Sequence, residues 1–408
     1  MTDTPSRIWS RSFSNITLSN GFFFSGFHML LPTIPLLAAR MGGSKTEVGL
    51  IAGIFVLSSV ITRLFTDVCV EKFGKRACLL LGVLVSLVSA GGYLLTSSVE
   101  AMLWVRLLHG AGFGLGTTFY IAIVTEYIPR ERRGEGLGYF GLATTVAMAV
   151  APATGLWLAD GYGFPAVFLT AAGCELLALA WLAGCALPSR ASDLENAKPS
   201  RGSERERKRL LDVFVARGTL FPAFLTVLFG IGYGSVLNFI AVFAVERHIP
   251  NPGLFFIVGT TCIFLARVVM GRVYDRKGPI WVVLPGAASF LAGLSLIAAT
   301  SSVAPFLTAA ALYGFGVGAL FPALQTAAIN AVAPHRRSAA SATFSNALDL
   351  GLGGGSVLLG LYAERAGLSA AYAAGAAVMI VFLVVYLGRA VARRAPIQPT
   401  PVLEPEGD

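Results

Sequence analysis

Charge is what this chain has least of. Asp, Glu, Lys and Arg make up only 13% of its 408 residues, about half the share of an ordinary soluble domain. That scarcity excludes a water-soluble globular protein, which would lack the polar residues to cover its surface. It equally excludes a disordered chain, which is built from polar and charged residues. Histidine (four) and cysteine (five) are scarce too. Cys69, Cys78, Cys174, Cys185 and Cys262 form no C-x-x-C pair, and each sits in or beside an apolar run. They read as small buried hydrophobes, neither disulfides nor metal ligands, and no metal site is expected. No G-x-x-x-x-G-K-[ST] loop occurs, so no ATP-driven step is expected. No metal cluster or nucleophilic triad marks an enzyme, and none is expected. Residues 1–12 are polar, without the apolar core of a cleaved signal peptide.

What the chain has in abundance is apolar residues (55%), with 46 Gly and 28 Phe. A hydrocarbon core about 30 Å thick is crossed by roughly 20 residues of helix. Twelve stretches meet that length: 13–39, 47–70, 78–97, 100–127, 136–160 and 165–187, then 214–246, 253–274, 280–300, 303–331, 339–365 and 368–389. The expected class is an all-α integral membrane protein. Its expected organisation is a cytoplasmic N-terminus (1–12), a six-helix bundle (13–187), a polar linker (188–213), a second six-helix bundle (214–389) and a disordered tail (390–408).

The net charge of +9 would suit a nucleic acid, but its placement argues otherwise. With the N-terminus inside, 24 of the 31 Lys and Arg fall on the cytoplasmic side and 4 on the outer side, while Arg63, Arg106 and Arg267 lie within spans. The excess of positive loops inside places both termini in the cytoplasm and accounts for the basic balance without a nucleic-acid partner.

A repeat at an offset of 204 residues runs through the chain. Arg63-x3-Asp67-x3-Glu71-Lys72-x-Gly74 returns as Arg267-x3-Gly271-x3-Asp275-Arg276-x-Gly278, and Gly110-x-Gly112-x-Gly114 returns as Gly314-x-Gly316-x-Gly318. Two parallel six-helix halves follow, the sequence sign of a transporter with its site between the repeats near the midplane. Gly110 and Gly114 form a G-x-x-x-G surface for close helix approach, and with no strand before them they are no dinucleotide loop.

These motifs resemble the major facilitator superfamily over nearly the whole chain. The loop after span two is similar to the family's G-x-x-x-D-R-x-G-R-R, with Asp67 in place of the first Gly and Glu71 in place of Asp. Arg106-x3-Gly110-x-Gly112 matches its R-x-x-x-G-x-G. Span five resembles the antiporter motif G-x8-G-x3-G-P-x2-G-G as Gly138-x8-Ala147-x3-Ala151-Pro152-x2-Gly155-Leu156. The resemblance implies two bundles related by a pseudo-two-fold axis that work by alternating access. The local texture is that of bacterial twelve-span efflux proteins. It implies proton-coupled export of a small organic compound, drug-like or metabolite, across the bacterial inner membrane by a monomer. The proton gradient would be the energy source, with no cofactor.

Several residues carry that reading. Arg63, Asp67 and Glu71 share one helix face and, with Lys72, Gly74, Glu126, Arg267, Asp275, Arg276 and Gly278, are expected to form a cytoplasmic ion-paired gate. Asp349, roughly 16 Å into span eleven, is the foremost candidate proton carrier, since burial disfavours the charged form of a carboxyl group. Arg106, a cation inside the membrane, is expensive there unless it has a function and suits an anionic group or a proton relay. His28 and Glu175 are further candidates for coupling. The cavity helices in this fold are one, four, seven and ten, so its wall is expected from Phe24, His28, Tyr120, Tyr233, Asn238, Phe239, Phe321 and Gln325, with Asn346 one turn from Asp349. Three other readings share these residues: a proton symporter importing a sugar or organic acid, an exporter of a siderophore or metallophore, and a membrane sensor that transports nothing.

Overall fold

The computed structural model describes residues 8–129, 132–185, 217–333 and 337–392. Twelve helices are found among them: α1 (Arg11–Arg40), α2 (Lys45–Leu64), α3 (Thr66–Gly92), α4 (Val99–Tyr127), α5 (Arg133–Gly161), α6 (Phe164–Ala183), α7 (Leu220–Glu246), α8 (Gly253–Lys277), α9 (Ile280–Ala299), α10 (Val303–Asn330), α11 (Arg337–Ala366) and α12 (Leu368–Ala392). The helix ends match the apolar stretches to within a few residues, α1 beginning at Arg11 and α12 running on to Ala392. The expected linker 188–213, and the tail from 393 on, lie outside the described residues.

The repeat is written into the backbone. Helices α4 and α10, α5 and α11, and α6 and α12 each begin 204 residues apart. Ser98 and Ser302, the residues before α4 and α10, keep the same spacing and similar extended backbones. Gly74 breaks the helical path inside α3 with φ 79°, and Gly278 turns the chain from α8 into α9 with φ 88°. Gly163 and Gly367 do the same before α6 and α12, with φ 83° and 86°. A side chain at any of these four positions would cost roughly 1–2 kcal/mol, so glycine recurs at the repeat spacing where the chain must reverse. The break at Gly74 also means that residues 66–73 continue the second crossing, and the third begins at Lys75.

Packing within each half rests on small residues, because lipid tails are as apolar as Leu and give helices no hydrophobic reason to associate. On α4, a Cβ at Gly110 would run into the Phe55 carbonyl of α2, and one at Gly114 would lie 2.7 Å from the Ser59 carbonyl. Gly112, on another face, lies equally close to Ser86 and Gly82 of α3. The second half repeats this wedge: Gly314 and Gly318 face Gly259 and Ile263 of α8, and Gly316 faces Gly286 and Phe290 of α9. The glycines are therefore helix-packing surfaces on both sides of one helix. Around the outside, large apolar side chains such as Trp104, Val146, Leu169, Trp281 and Val384 stand exposed, the surface that a bilayer covers.

The halves meet along α2–α11, α5–α8 and α1–α7. Both described chain ends lie at one end of the bundle, here the near end. The opposite, far end is sealed between α2 and α11. A Cβ at Gly49 would stand 2.5 Å from the Ser356 carbonyl, and one at Gly360 would stand 2.6 Å from the Lys45 carbonyl. The Lys45 and Thr46 amides donate to Glu364 Oε2 at 2.6 and 3.3 Å, and Lys45 Nζ lies 3.4 Å from Glu246. Glu364 thus places a carboxylate from one half on the N-terminus of a helix in the other, where the helix dipole favours negative charge. On the α5–α8 side Gly253 packs on Ala153 at the far end, whereas Gly138 and Gly141 of α5 and Gly271 of α8, nearer the termini, have open space over them.

Eleven of the twelve helices are long and apolar enough to cross a membrane. The twelfth by this measure is α11, which has the length, 30 residues, but carries Ser, Asn and Asp through it. Its composition follows from its neighbours. Gly351 and Gly355 pack on α7, and Ser356 and Gly360 pack on α2, so much of its surface meets protein.

Candidate functional site

A cavity of about 140 Å³ lies between the halves, at mid-depth. Helix α1 contributes Phe27 and His28, α2 contributes Phe55, Ser59 and Arg63, and α4 contributes Arg106 and Phe113. From the second half come Tyr233, Leu237 and Asn238 of α7 and Asp349 and Leu352 of α11. The depth follows from helix rise. Asp349 lies twelve residues from the near-end start of α11, about 18 Å, and Arg63 lies ten residues before Phe73, about 15 Å. Both values put them near the middle of a hydrocarbon layer about 30 Å thick.

Arg63 and Asp349 form an ion pair across the halves, and Arg63 also reaches Thr117 of α4 at 3.4 Å. Each side chain of the pair is about 25% exposed, so neither partner is entombed. The repeat makes this bridge one-sided. The pseudo-equivalent of Arg63 is Arg267, which lies over the Phe321 ring at 5.8 Å in its own half. The pseudo-equivalent of Asp349 is Thr145, which donates to the Gly141 carbonyl of its own helix at 3.0 Å. One of two symmetry-related positions has kept both charges.

Arg106 lies seven residues from the far-end start of α4, about 10 Å deep. It does not extend toward the membrane surface. It is wholly buried, stacked 4.4 Å from the centre of the Phe55 ring, with Nε 3.4 Å from the Ile51 carbonyl. Its two terminal nitrogens make no close hydrogen bond; the Tyr93 hydroxyl beside them is a neutral neighbour and supplies no counter-charge. His28 Nδ1, Ser59 Oγ and Asn238 Oδ1, all on the same cavity wall, are buried and unpartnered as well. The Asn238 amide nitrogen is used internally, donating to Ser356 Oγ at 3.0 Å and tying α7 to α11. Between Arg106 and the Arg63–Asp349 pair run the rings of Phe27, Phe55 and Phe113, with centroids 4.1 to 5.3 Å apart.

The structure redraws several expectations. Tyr120 is no cavity residue: it is buried in the first half, sharing a 2.5 Å hydrogen bond with Ser19. Phe239 is buried in the packed core and lines no part of this cavity. Glu175 is wedged between α6 and α1 beside Gly26, sealed off from the cavity. Helix α10 gives this cavity no wall. Phe321 packs on Phe344 of α11 at 5.3 Å, Gln325 is half-buried, and α2 and α11 take the place expected of α10. Phe24 packs on Phe23, Phe113 and His28 behind the wall, and Asn346, half-buried, is not on the wall.

The expected cytoplasmic gate is also rearranged. Arg63 is at mid-depth, away from the helix end. Glu126 pairs with Lys75, inside the first half. Glu71, Lys72, Asp275 and Arg276 are exposed at the near end, and the Asp67 side chain lies outside the described ones. Gly74 and Gly278 serve the backbone turns described above. In α5, Ala147 and Ala151 are buried and Gly155 lies against Met29 of α1. Pro152 lines a small hollow with His28 and Tyr233, and Gly138 stands open. The far-end seal of Lys45, Glu246 and Glu364 escaped sequence reasoning, as did the Phe27, Phe55 and Phe113 wall. A larger crevice of about 780 Å³ opens at the far end between α5, α1 and the α7–α8 turn, lined by Arg40, Trp157 and Asp160. Of the motif residues only Leu156, at the end of the antiporter-like stretch of α5, reaches it. No group of three or more metal-ligating side chains exists among the described residues.

Comparison with known proteins agrees with this architecture. An MFS-type transporter of Methanocaldococcus jannaschii is 23% identical over 370 residues, covering 90% of this chain and 92% of its own. One of Burkholderia mallei is 27% identical over 357 residues, covering 84% of each. Among solved structures, a nucleoside transporter superposes with a TM-score of 0.75 at 12% identity, covering 92% of this chain and 99% of that one. The human organic anion transporter MFSD10 gives 0.64 at 18% identity, with coverage of 94% and 100%. A bacterial homologue of the lysosomal transporter Spinster, in an inward-facing conformation, gives 0.67 at 18%, covering 95% and 96%. The family model of the Major Facilitator Superfamily matches residues 16–276 and again 252–405. With both six-helix halves matched, the chain belongs to the Major Facilitator Superfamily and is a multi-pass membrane transporter.

Proposed function

We propose that this transporter is a proton-coupled antiporter that exports a small organic compound by alternating access, as a monomer in the bacterial inner membrane with both termini cytoplasmic. The observation that carries this reading is the Arg63–Asp349 pair, an acid and a base that hold the two halves together inside the central cavity. A proton on Asp349 removes one charge of that bridge, weakens the contact between α2 and α11, and leaves Arg63 free to bind elsewhere. Loss of the proton restores it. Protonation and the separation of the halves are then coupled through one bond, which is what alternating access driven by a proton gradient requires. In this orientation the far end faces outward, so the α2–α11 seam is closed on the outer side. The resemblance of α5 to the antiporter motif, with Pro152 and Gly155 in place, supports the outward direction.

The test is substrate-dependent proton movement. Everted membrane vesicles carrying the protein are energised, and a panel of drugs and metabolites is added while an entrapped pH dye is followed. The expected result is that at least one compound discharges the gradient in wild type and that Asp349→Asn abolishes the discharge. An Asp349→Asn protein that discharges the gradient at the wild-type rate would overturn the coupling role. Counterflow in proteoliposomes fixes the direction, and net uptake with protons would replace the antiporter by a symporter.

A further inference from the structure

We infer that Arg106 is the binding group for a carboxylate and that the cargo is a compact aromatic monocarboxylate. The inference rests on the transporter reading only in taking this cavity as the cargo site. Four observations meet. First, Arg106 is a wholly buried cation on the cavity wall, with two nitrogens unpartnered. A buried guanidinium without a counter-charge is costly, and Asp349, the one carboxylate on that wall, is engaged by Arg63. Roughly 12 Å of α2, from Phe55 to Arg63, separates the two arginines. The cavity therefore has one neutralised pole and one cationic pole.

Second, the unpartnered atoms concentrate here. Of the ten buried side-chain nitrogens and oxygens without a partner among the described residues, five belong to this wall: two on Arg106 and one each on His28, Ser59 and Asn238. Buried polar groups are nearly always satisfied, so a cluster around one hollow points to a ligand that satisfies them. Third, the Arg106 fork matches a carboxylate, which accepts two parallel N–H bonds. Fourth, the remaining wall is aromatic, with Phe27, Phe55 and Phe113 in mutual contact. A volume of about 140 Å³ is close to that of an apolar cavity that accepts benzene, about 150 Å³, and well below the range for drug-sized ligands. One ring with one carboxylate fits the volume, the wall and the charge together.

The test is equilibrium binding to the purified full-length protein, with no gradient across a membrane. Benzoate, benzamide and benzylamine share a shape and differ in charge. Benzoate is expected to bind at least about tenfold more tightly than benzamide, since hydrogen bonds to charged groups are the stronger class. Benzylamine is expected not to bind. Arg106→Gln should abolish the preference for benzoate over benzamide, and Arg106→Lys should retain part of it. Equal affinity for benzoate and benzamide in the wild-type protein overturns the proposal without recourse to any variant, as does the absence of saturable benzoate binding. The two readings fail separately. Arg106-dependent benzoate binding with no proton-linked transport leaves the anion site standing and removes the antiporter, whereas proton-linked transport of a neutral or cationic compound does the reverse.

Discussion

Gly49→Ala is the sharpest test of how the far end is sealed. An added Cβ at Gly49 stands 2.5 Å from the Ser356 carbonyl oxygen and 3.3 Å from the Gly360 Cα. Carbon–oxygen contacts in packed helices settle at about 3.3–3.6 Å, so α2 and α11 must part by about 0.8 Å at this point. Both atoms facing the new methyl group are backbone, so no side chain can rotate out of the way. Overpacking of this kind costs about 1–3 kcal/mol. That cost falls only on the state in which α2 and α11 touch here, so the equilibrium shifts toward far-end opening by roughly 5- to 150-fold. The assay is pulsed electron-spin distance measurement between labels at Glu100 in the first half and Arg365 in the second, both exposed near the far end, in a background without the five native cysteines. A long-distance population should grow in Gly49→Ala. The control is Gly173→Ala, where a Cβ meets nothing within 4 Å and gains helix propensity. If the two variants give the same distance distribution, contact between α2 and α11 does not set the far-end equilibrium, and the reasoning fails.

Two further outcomes follow from the placement of particular residues. Glu175→Gln should leave substrate-dependent proton movement within about twofold of wild type, because Glu175 lies between α6 and α1 outside the cavity and the change keeps its shape; a loss like that of Asp349→Asn in the vesicle assay would refute this placement. Gly74→Ala and Gly278→Ala should each lower the unfolding free energy by about 1–2 kcal/mol, the cost of a side chain at positive φ, read as reduced thermal stability of the purified protein, whereas Gly138→Ala, at an open helical position, should not.

How far the fold was legible depends on what each feature needs. Helix number and order needed only local composition, and they agree to within a few residues. The repeat needed only an offset, and the same offset relates Gly163 to Gly367, although their flanks differ. The site was less legible, because its geometry is set by which face of each helix turns inward, and near-uniform apolar helices carry no periodic signal for that. Tyr120 and Phe239 show the problem: depth along the helix was right for a cavity, rotation about it was wrong. Arg63 failed in another way. Its motif points to a helix end, yet ten residues of crossing still follow Arg63 before Gly74. The far-end seal has no local signature, since Glu364 and Lys45, 319 residues apart in sequence, meet only through the docking of the two halves.

The asymmetry between the two inter-half seams also bears on how a proton could move rigid bodies. A pseudo-two-fold transporter has two equivalent seams, α2–α11 and α5–α8, and a perfectly symmetric molecule would load them alike. Here the first seam holds charges: Arg63 and Asp349 at mid-depth, and Glu364 on the N-terminus of α2 at the far end, where Lys45 also reaches Glu246 of α7. The second has Thr145 where the acid would be and an arginine, Arg267, that turns to Phe321 in its own half. Under the proposed coupling, neutralising Asp349 would loosen one seam alone, and motion about the other would become a rotation. Supplying the missing acid tests this. Thr145→Asp would offer Arg267 a partner across α5–α8 and restore the symmetry. In the same label pair used above, the variant should show a narrower far-end distribution and a smaller response to pH than wild type. An unchanged pH response would mean that the α2–α11 seam is not the one the proton acts on.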